Sequence, residues 1–265
     1  MKNLLKADFF RLFKDKSALV GLIITAALSV ISVVFLYLVF EFLMEIPEGT
    51  PGIPIYTGEV MMKSAFQASN NAGMILAIII GMIATKDFSH NTVRQKTIHG
   101  HKRTNIYLSQ LITVVVYAAV VMVINAVISL VLGSIFFGYT TSGFVVNDIL
   151  YILYALGMGI LLYIVMASLV MMIAFLTKST GLTVVISIGL SFFITIIFTI
   201  LMYTGGSNDI VKFFMNLMPD QHFLWYLNSR WMSLEQLAYS IGASLGYILL
   251  FTLIGIKSFN KTDIK

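Results

Sequence analysis

The sequence predicts an all-α polytopic membrane protein, with six transmembrane helices behind an N-terminal amphipathic interfacial helix. Three observations carry this expectation. Of the 265 residues, 58% are hydrophobic and 11% charged, whereas soluble domains run near 45–50% and about 25%. With a mean hydropathy of +0.93, the chain has more apolar surface than a water-soluble fold can hide, so the bilayer must be its solvent. The apolar residues gather in six segments at about 18–44, 70–85, 105–137, 148–176, 181–204 and 237–258, each near the roughly 20 residues a span needs. Helices are the natural choice, because each satisfies its own backbone in lipid; the alternation of a membrane barrel is missing.

In chain order, Leu4 to Lys14 comes first. Leu5, Phe9, Leu12 and Phe13 share one helical face, and Lys6, Asp8, Arg11 and Lys14 take the rest, the pattern of a helix lying in the interface. The apolar run that follows is long enough to span, which makes it a retained helix and not a signal peptide. Residues 45–69 read as an outer loop. The second span is the weakest, because Gln67, Ser69, Asn70 and Asn71 crowd its start. After it comes the basic stretch from Lys86 to Thr104, where Ser89 is placed to cap a short helix and Gly100 to end it. Phe88, Val93 and Ile98 give that stretch apolar handles for a partner. The third span is longer than a bilayer requires, so part of it tilts or projects into water. In the fifth, Thr183, Ser187, Ser191, Thr195 and Thr199 recur every four residues beside a second row from Gly181 to Ile197. A hydroxyl ridge of this kind faces protein or a polar path more readily than lipid; the alternative is that each hydroxyl bonds its own i−4 carbonyl.

Orientation follows from the loops. Fourteen Lys and Arg fall on the side of the two chain ends and three, Lys63, Lys212 and Arg230, on the other. That bias fits six crossings with both termini inside. It also accounts for the net charge of +5 through anionic headgroups, with no call for nucleic acid. Tyr37, Tyr139, Tyr203, Trp225, Tyr226 and Trp231 fall near the expected outer boundary, and all four prolines lie in outer loops. With no repeat and no linker, residues 1–265 read as a single transmembrane domain.

Chemistry is sparse. The chain has no cysteine, which removes disulfides, thiolate nucleophiles and Cys-ligated metal. His99 and His101 lack a carboxylate or Cys to complete a metal set, so no metal site is expected. Gly242-Ala243-Ser244-Leu245-Gly246 fits the hydrolase pattern G-x-S-x-G. That motif needs a strand–turn–helix, and here it lies inside the last span, where Gly242 and Gly246 read as small-residue packing. No catalytic residue is expected, although an intramembrane enzyme and a non-transporting scaffold or sensor stand as alternatives. The centres of the spans hold no ionisable residue, and Glu41 and Asp148 lie near outer ends, so an ion relay has no visible carrier. No phosphate-binding loop is present; any ATP and Mg would sit on a separate ATPase chain, and no cofactor is expected on this one.

Lys86-Asp87-Phe88, Asn91-Thr92-Val93-Arg94, Gly100-His101-Lys102-Arg103 and Ile106-Tyr107-Leu108-Ser109-Gln110 resemble the inner loop of ABC-2 type exporter permeases. Asn91 stands where that family commonly has Gly, and Gln110 where it has Lys. Segment 205–238 is similar to the short outer helices joining the last two spans there. The resemblance implies a permease in a bacterial cell membrane, with both termini cytoplasmic, that pairs with a second copy or a sister permease. A cytoplasmic ABC ATPase subunit would dock on Leu5 and Phe9 of the N-terminal helix and on Asp87, Phe88, Asn91, Thr92, Val93 and Arg94. Thr183, Ser187, Ser191, Thr195 and Thr199 would line the dimer seam or the export path. The implied substrates are amphipathic peptides, such as phenol-soluble modulins or lantibiotics.

Overall fold

The computed structural model describes residues 1–43, 56–67, 71–89, 92–140, 143–204 and 208–261. Among them are six helices long and apolar enough to cross a membrane, and the protein is an all-α polytopic membrane protein. The N-terminal helix α1 (Lys2–Lys14) leads into α2 (Lys16–Leu43). A short helix α3 (Gly58–Ser64) precedes α4 (Asn71–Ser89), and α5 (Thr92–Ile98) links α4 to α6 (Arg103–Phe137). Then come α7 (Asn147–Thr177), α8 (Thr180–Thr204), the pair α9 (Asp209–Leu217) and α10 (Pro219–Asn228), and α11 (Leu234–Lys261).

At 1.5 Å per residue α6 is about 52 Å long, well beyond a hydrocarbon core of about 30 Å. Its first turns pack against the ends of α4 and α7 and carry α1, α5 and the end of α11: Arg103 donates to the carbonyls of Phe259 and Asn260 at 3.2 and 3.0 Å. Gly255 lies so close against Tyr107 that a Cβ has no room. This is the basic end of the bundle. The central helix is α7, packed by α4, α6, α8 and α11, with Tyr163, Ala167, Val170, Met171 and Ala174 fully buried. A turn of two residues, with Lys178 left-handed at φ 53°, returns the chain into α8.

Within the outer loop expected over 45–69, Gly58–Ser64 form the helix α3, while 45–55 and 68–69 lie outside the described residues. Thr57 caps this helix by accepting from the Val60 N–H at 3.3 Å, and the N–H groups of Gly58 and Glu59 bond the carbonyls of Gly138 and Tyr139 at 2.8 and 3.1 Å. From there α3 descends along α6 until the Ala65 carbonyl accepts from Asn125 (3.2 Å) and Tyr163 (3.0 Å). Asn125 lies about 18 Å in from Phe137. Ala72, at the start of α4, borders the same cavity as Ala65 and Asn125, and α4 runs on to Asp87 beside Gln110. So α3 and α4 are two halves of one crossing, interrupted deep in the bundle. Of the polar residues expected at the mouth of the second span, Gln67 follows α3 and Asn71 opens α4, while Ser69 and Asn70 lie outside the described residues. Irregular backbone at such depth is tolerated where protein buries it: Ala65 and Phe66, just past α3, are 2% and 1% exposed.

A second intrusion comes from α9 and α10. Thr195, about 13 Å in from the end of α8, donates to Asp220 at 3.0 Å. Further along α10, Tyr226 meets Phe66 edge-on at 5.5 Å and stacks on Tyr154 at 6.0 Å. By Arg230 the chain is back at the far end, paired with Asp148 and, at 3.5 Å, with Glu59. The hairpin therefore dips into the bundle with Met218 and Pro219 at its tip. Tyr226, expected at the outer boundary, is buried against the interrupted crossing instead.

Candidate functional site

At the basic end, one buried carboxylate joins four helices. Asp87, on the last turn of α4, takes hydrogen bonds from Arg11 of α1 and Gln110 of α6, and pairs with Lys96 of α5 at 3.1 Å. Lys96 also reaches Asp8 at 2.7 Å, and Asp8 accepts from Ser109 at 2.6 Å. Beside them Lys86 pairs with Asp15 at 2.7 Å. Burial opposes the charge of Asp15, but the Lys86 ammonium and the Ser17 N–H outweigh it and hold its carboxyl below the usual value.

These pairs set the rotation of α1. Leu4 and Asp8 are buried and Leu5, Phe9 and Leu12 half-buried, while Phe10 and Phe13 face outward. The shared face of Leu5, Phe9, Leu12 and Phe13 expected from spacing is thus split, because Asp8 has to meet Lys96 and Ser109. In α5, Gly100 does close the turn, at φ 81°. Ser89 does not cap it: the residue ends α4 and donates back to the Thr85 carbonyl at 3.3 Å.

Of the residues expected to touch an ATPase, Asp87 and Val93 are buried, each 1% exposed. Phe88 packs edge-on against Phe175 at 5.0 Å, Thr92 is half-buried, and Asn91 lies outside the described residues. Asp87 and Val93 are therefore fasteners within the chain, since a partner cannot reach groups the bundle covers, while Phe88 is half-buried. The open face of α5 consists of Arg94, Gln95 and Ile98, followed by His99. Ile98 is the one apolar handle that stays free.

The hydroxyl row of α8 divides. Thr183 and Ser187 are buried within the chain, with Thr183 against Gly81 of α4 and 2.8 Å from the Thr177 hydroxyl. A seam with a second permease through these two residues is corrected: their own bundle covers them. Gly181 and Gly189, on the neighbouring row, meet open space, as do Gly242 and Gly246 of α11; Ser244 turns inward instead. Thr199 is exposed and donates to the Thr195 carbonyl at 2.8 Å.

Ser191 and Thr195 face a cavity of about 210 Å³ between α7, α8, α10 and α11. Its walls are largely apolar, with Phe66, Leu162, Met166, Ile194, Phe223 and Phe251 among them; its other polar groups are Gln67, Asp220 and the Tyr247 hydroxyl. A second cavity of about 230 Å³ lies across the interruption, lined by Thr25, Ser29, Ser32, Ser64, Asn125 and Ser129 of α2, α3 and α6, among others; Ser29 donates to Asn125 at 2.5 Å. The crossing thus breaks between an apolar cavity holding one acid and a cavity rich in hydroxyls.

A sequence signature described as DUF2705, a family of proteins of unknown function, matches residues 18–265. The chain belongs to the DUF2705 family. The matched stretch begins at Ala18, so in this DUF2705 member α1 precedes it while both cavities and α5 fall within it. No curated protein matches the chain.

Asp220 and α3 are the cavity-lining features that the sequence did not reveal. Pro219-Asp220 falls in segment 205–238, which reads as outer, so an acid inside the bundle had no signal there. Glu59 and Lys63 look like loop residues until their i,i+4 pairing at 2.9 Å is seen to neutralise them inside the bundle. No group of three or more potential metal ligands occurs among the described residues.

Proposed function

We propose that this chain is the permease subunit of an ATP-driven exporter of the ABC-2 type, seated in a bacterial cell membrane with its basic end cytoplasmic. The observation that carries this reading is Asp87. One carboxylate fastens α4 to α1, α5 and α6 at once, so a force applied to the open face of α5 moves the inner half of the interrupted crossing. The other end of α4 borders the hydroxyl-rich cavity. Interrupted helices commonly mark where transporters bind and release their load. A simple anchor has no use for an external platform tied rigidly to a break in the membrane. The platform accepts a separate ATPase subunit, which supplies ATP and Mg, and a second or sister permease completes the path for an amphipathic substrate.

The test is capture of the ATPase. Arg94→Glu combined with Ile98→Asp changes only exposed residues, where folding effects usually stay within about 0.5 kcal/mol. The expected result is at least tenfold less ATPase co-purified, with unchanged membrane yield and elution volume. Normal capture and substrate-stimulated ATP turnover by the double variant would sink the reading.

Orientation is checked independently, using the absence of native cysteine. Thr57 is 7% exposed and Val146 77%, so the probe belongs on Val146. A cysteine there is expected to react with an impermeant maleimide on intact cells, whereas one at Ile98, 73% exposed, reacts only after permeabilisation. The opposite pattern would invert the topology.

A further inference from the structure

We propose that the cavity beside the α9–α10 hairpin binds the cationic head of an amphipathic ligand, with Asp220 taking an ammonium or guanidinium group and the apolar walls taking the hydrocarbon body. This rests on the export reading for the ligand's role, but the site stands on its own geometry. Each fully buried carboxylate described has a cation beside it: Asp8 has Lys96, Asp87 has Arg11 and Lys96, Glu59 has Lys63, and Asp148 has Arg230. Asp220 has the Thr195 hydroxyl at 3.0 Å and, among the described residues, no cation within ion-pair distance. Asp220 is half-buried, and a carboxylate held partly out of water against an apolar wall gains from a paired charge, which a ligand's cation supplies.

The surroundings narrow the chemistry. An anion would meet the carboxylate with no compensating base. A divalent metal wants six or more oxygens, and one carboxylate with the hydroxyls of Ser191 and Thr195 and the amide of Gln67 does not provide them. The remaining wall is hydrocarbon and aromatic, with Phe66, Phe223, Tyr247 and Phe251, which suits an apolar body and tolerates a cation near ring faces. One positive charge on a greasy chain is the ligand that satisfies both parts. The hairpin tip at Met218 and Pro219 also lines the cavity, so a ligand there touches α8, α10 and the residues that follow α3.

The experiment is equilibrium binding of dodecylamine to the purified full chain in zwitterionic nanodiscs, with dodecanol as the neutral control. Wild type is expected to prefer the amine by at least tenfold. Asp220→Asn should remove that preference without changing dodecanol binding, and Asp220→Glu should restore part of it. Equal binding of amine and alcohol by wild type would show a crevice for lipid tails only and overturn the proposal, as would full amine preference in Asp220→Asn. If that variant fails to fold, the discrimination by wild type and by Asp220→Glu still decides. Lost amine binding with intact ATPase capture overturns this inference alone; Asp220-dependent binding with no capture overturns the export reading alone.

Discussion

Asp87→Ala is expected to lower stability by about 3–5 kcal/mol, the usual consequence of removing one member of a buried ionic cluster. The loss is large because three donors depend on one carboxylate. Lys96, with a side chain 11% exposed, keeps only Asp8. Arg11 loses its hold on α4, and the Gln110 amide, whose carbonyl oxygen already has no partner, loses its acceptor as well. Thermal denaturation in detergent should show the drop, and α1 should become sensitive to protease as it detaches. Lys96 still has Asp8 after this change, so adding Lys96→Met is expected to deepen the loss by stranding the buried Asp8 carboxylate. An unchanged melting midpoint for Asp87→Ala would show that the node does not bind these helices together.

The node also explains what the sequence made legible. The long helices could be read to within a few residues because each is a run of apolar residues of sufficient length, and that property needs no tertiary context. The end of α5 was legible for a similar reason: Gly100 adopts a conformation that glycine favours. The rotation of α1 was not legible, since it depends on Asp8 finding Lys96 some 88 positions away. Likewise Phe88 and Val93 looked like handles because they are apolar residues in a polar stretch, and only packing shows that they face inward. The hydroxyl row was visible as a row, but its division into a buried part and a cavity-lining part depends on where α4, α7 and α10 lie. Charge misled over α3. A loop with Glu59 and Lys63 reads as solvated, yet those charges neutralise one another and Arg230 closes the cluster.

Gly159→Val is expected to disturb the interrupted crossing where Phe66 leaves α3. Any Cβ at Gly159 falls within the Phe66 ring, and the ring is fixed on its other side by Tyr226 at 5.5 Å. Overpacking of this kind costs about 1–3 kcal/mol, and the upper end is expected because the ring is 1% exposed and has nowhere to retreat. Phe66 also lines the apolar cavity, so binding there should weaken along with stability. A plain packing fault would make the damage independent of Phe66, whereas a specific collision makes it conditional. In a Phe66→Leu background the smaller side chain frees space, so Gly159→Val should cost less there, with a coupling of about 1–3 kcal/mol in a double-mutant cycle. Additivity within about 0.5 kcal/mol would mean that Gly159 and Phe66 do not meet as described. The coupling is the more informative number, because it tests whether α7 holds the break in place or merely passes beside it.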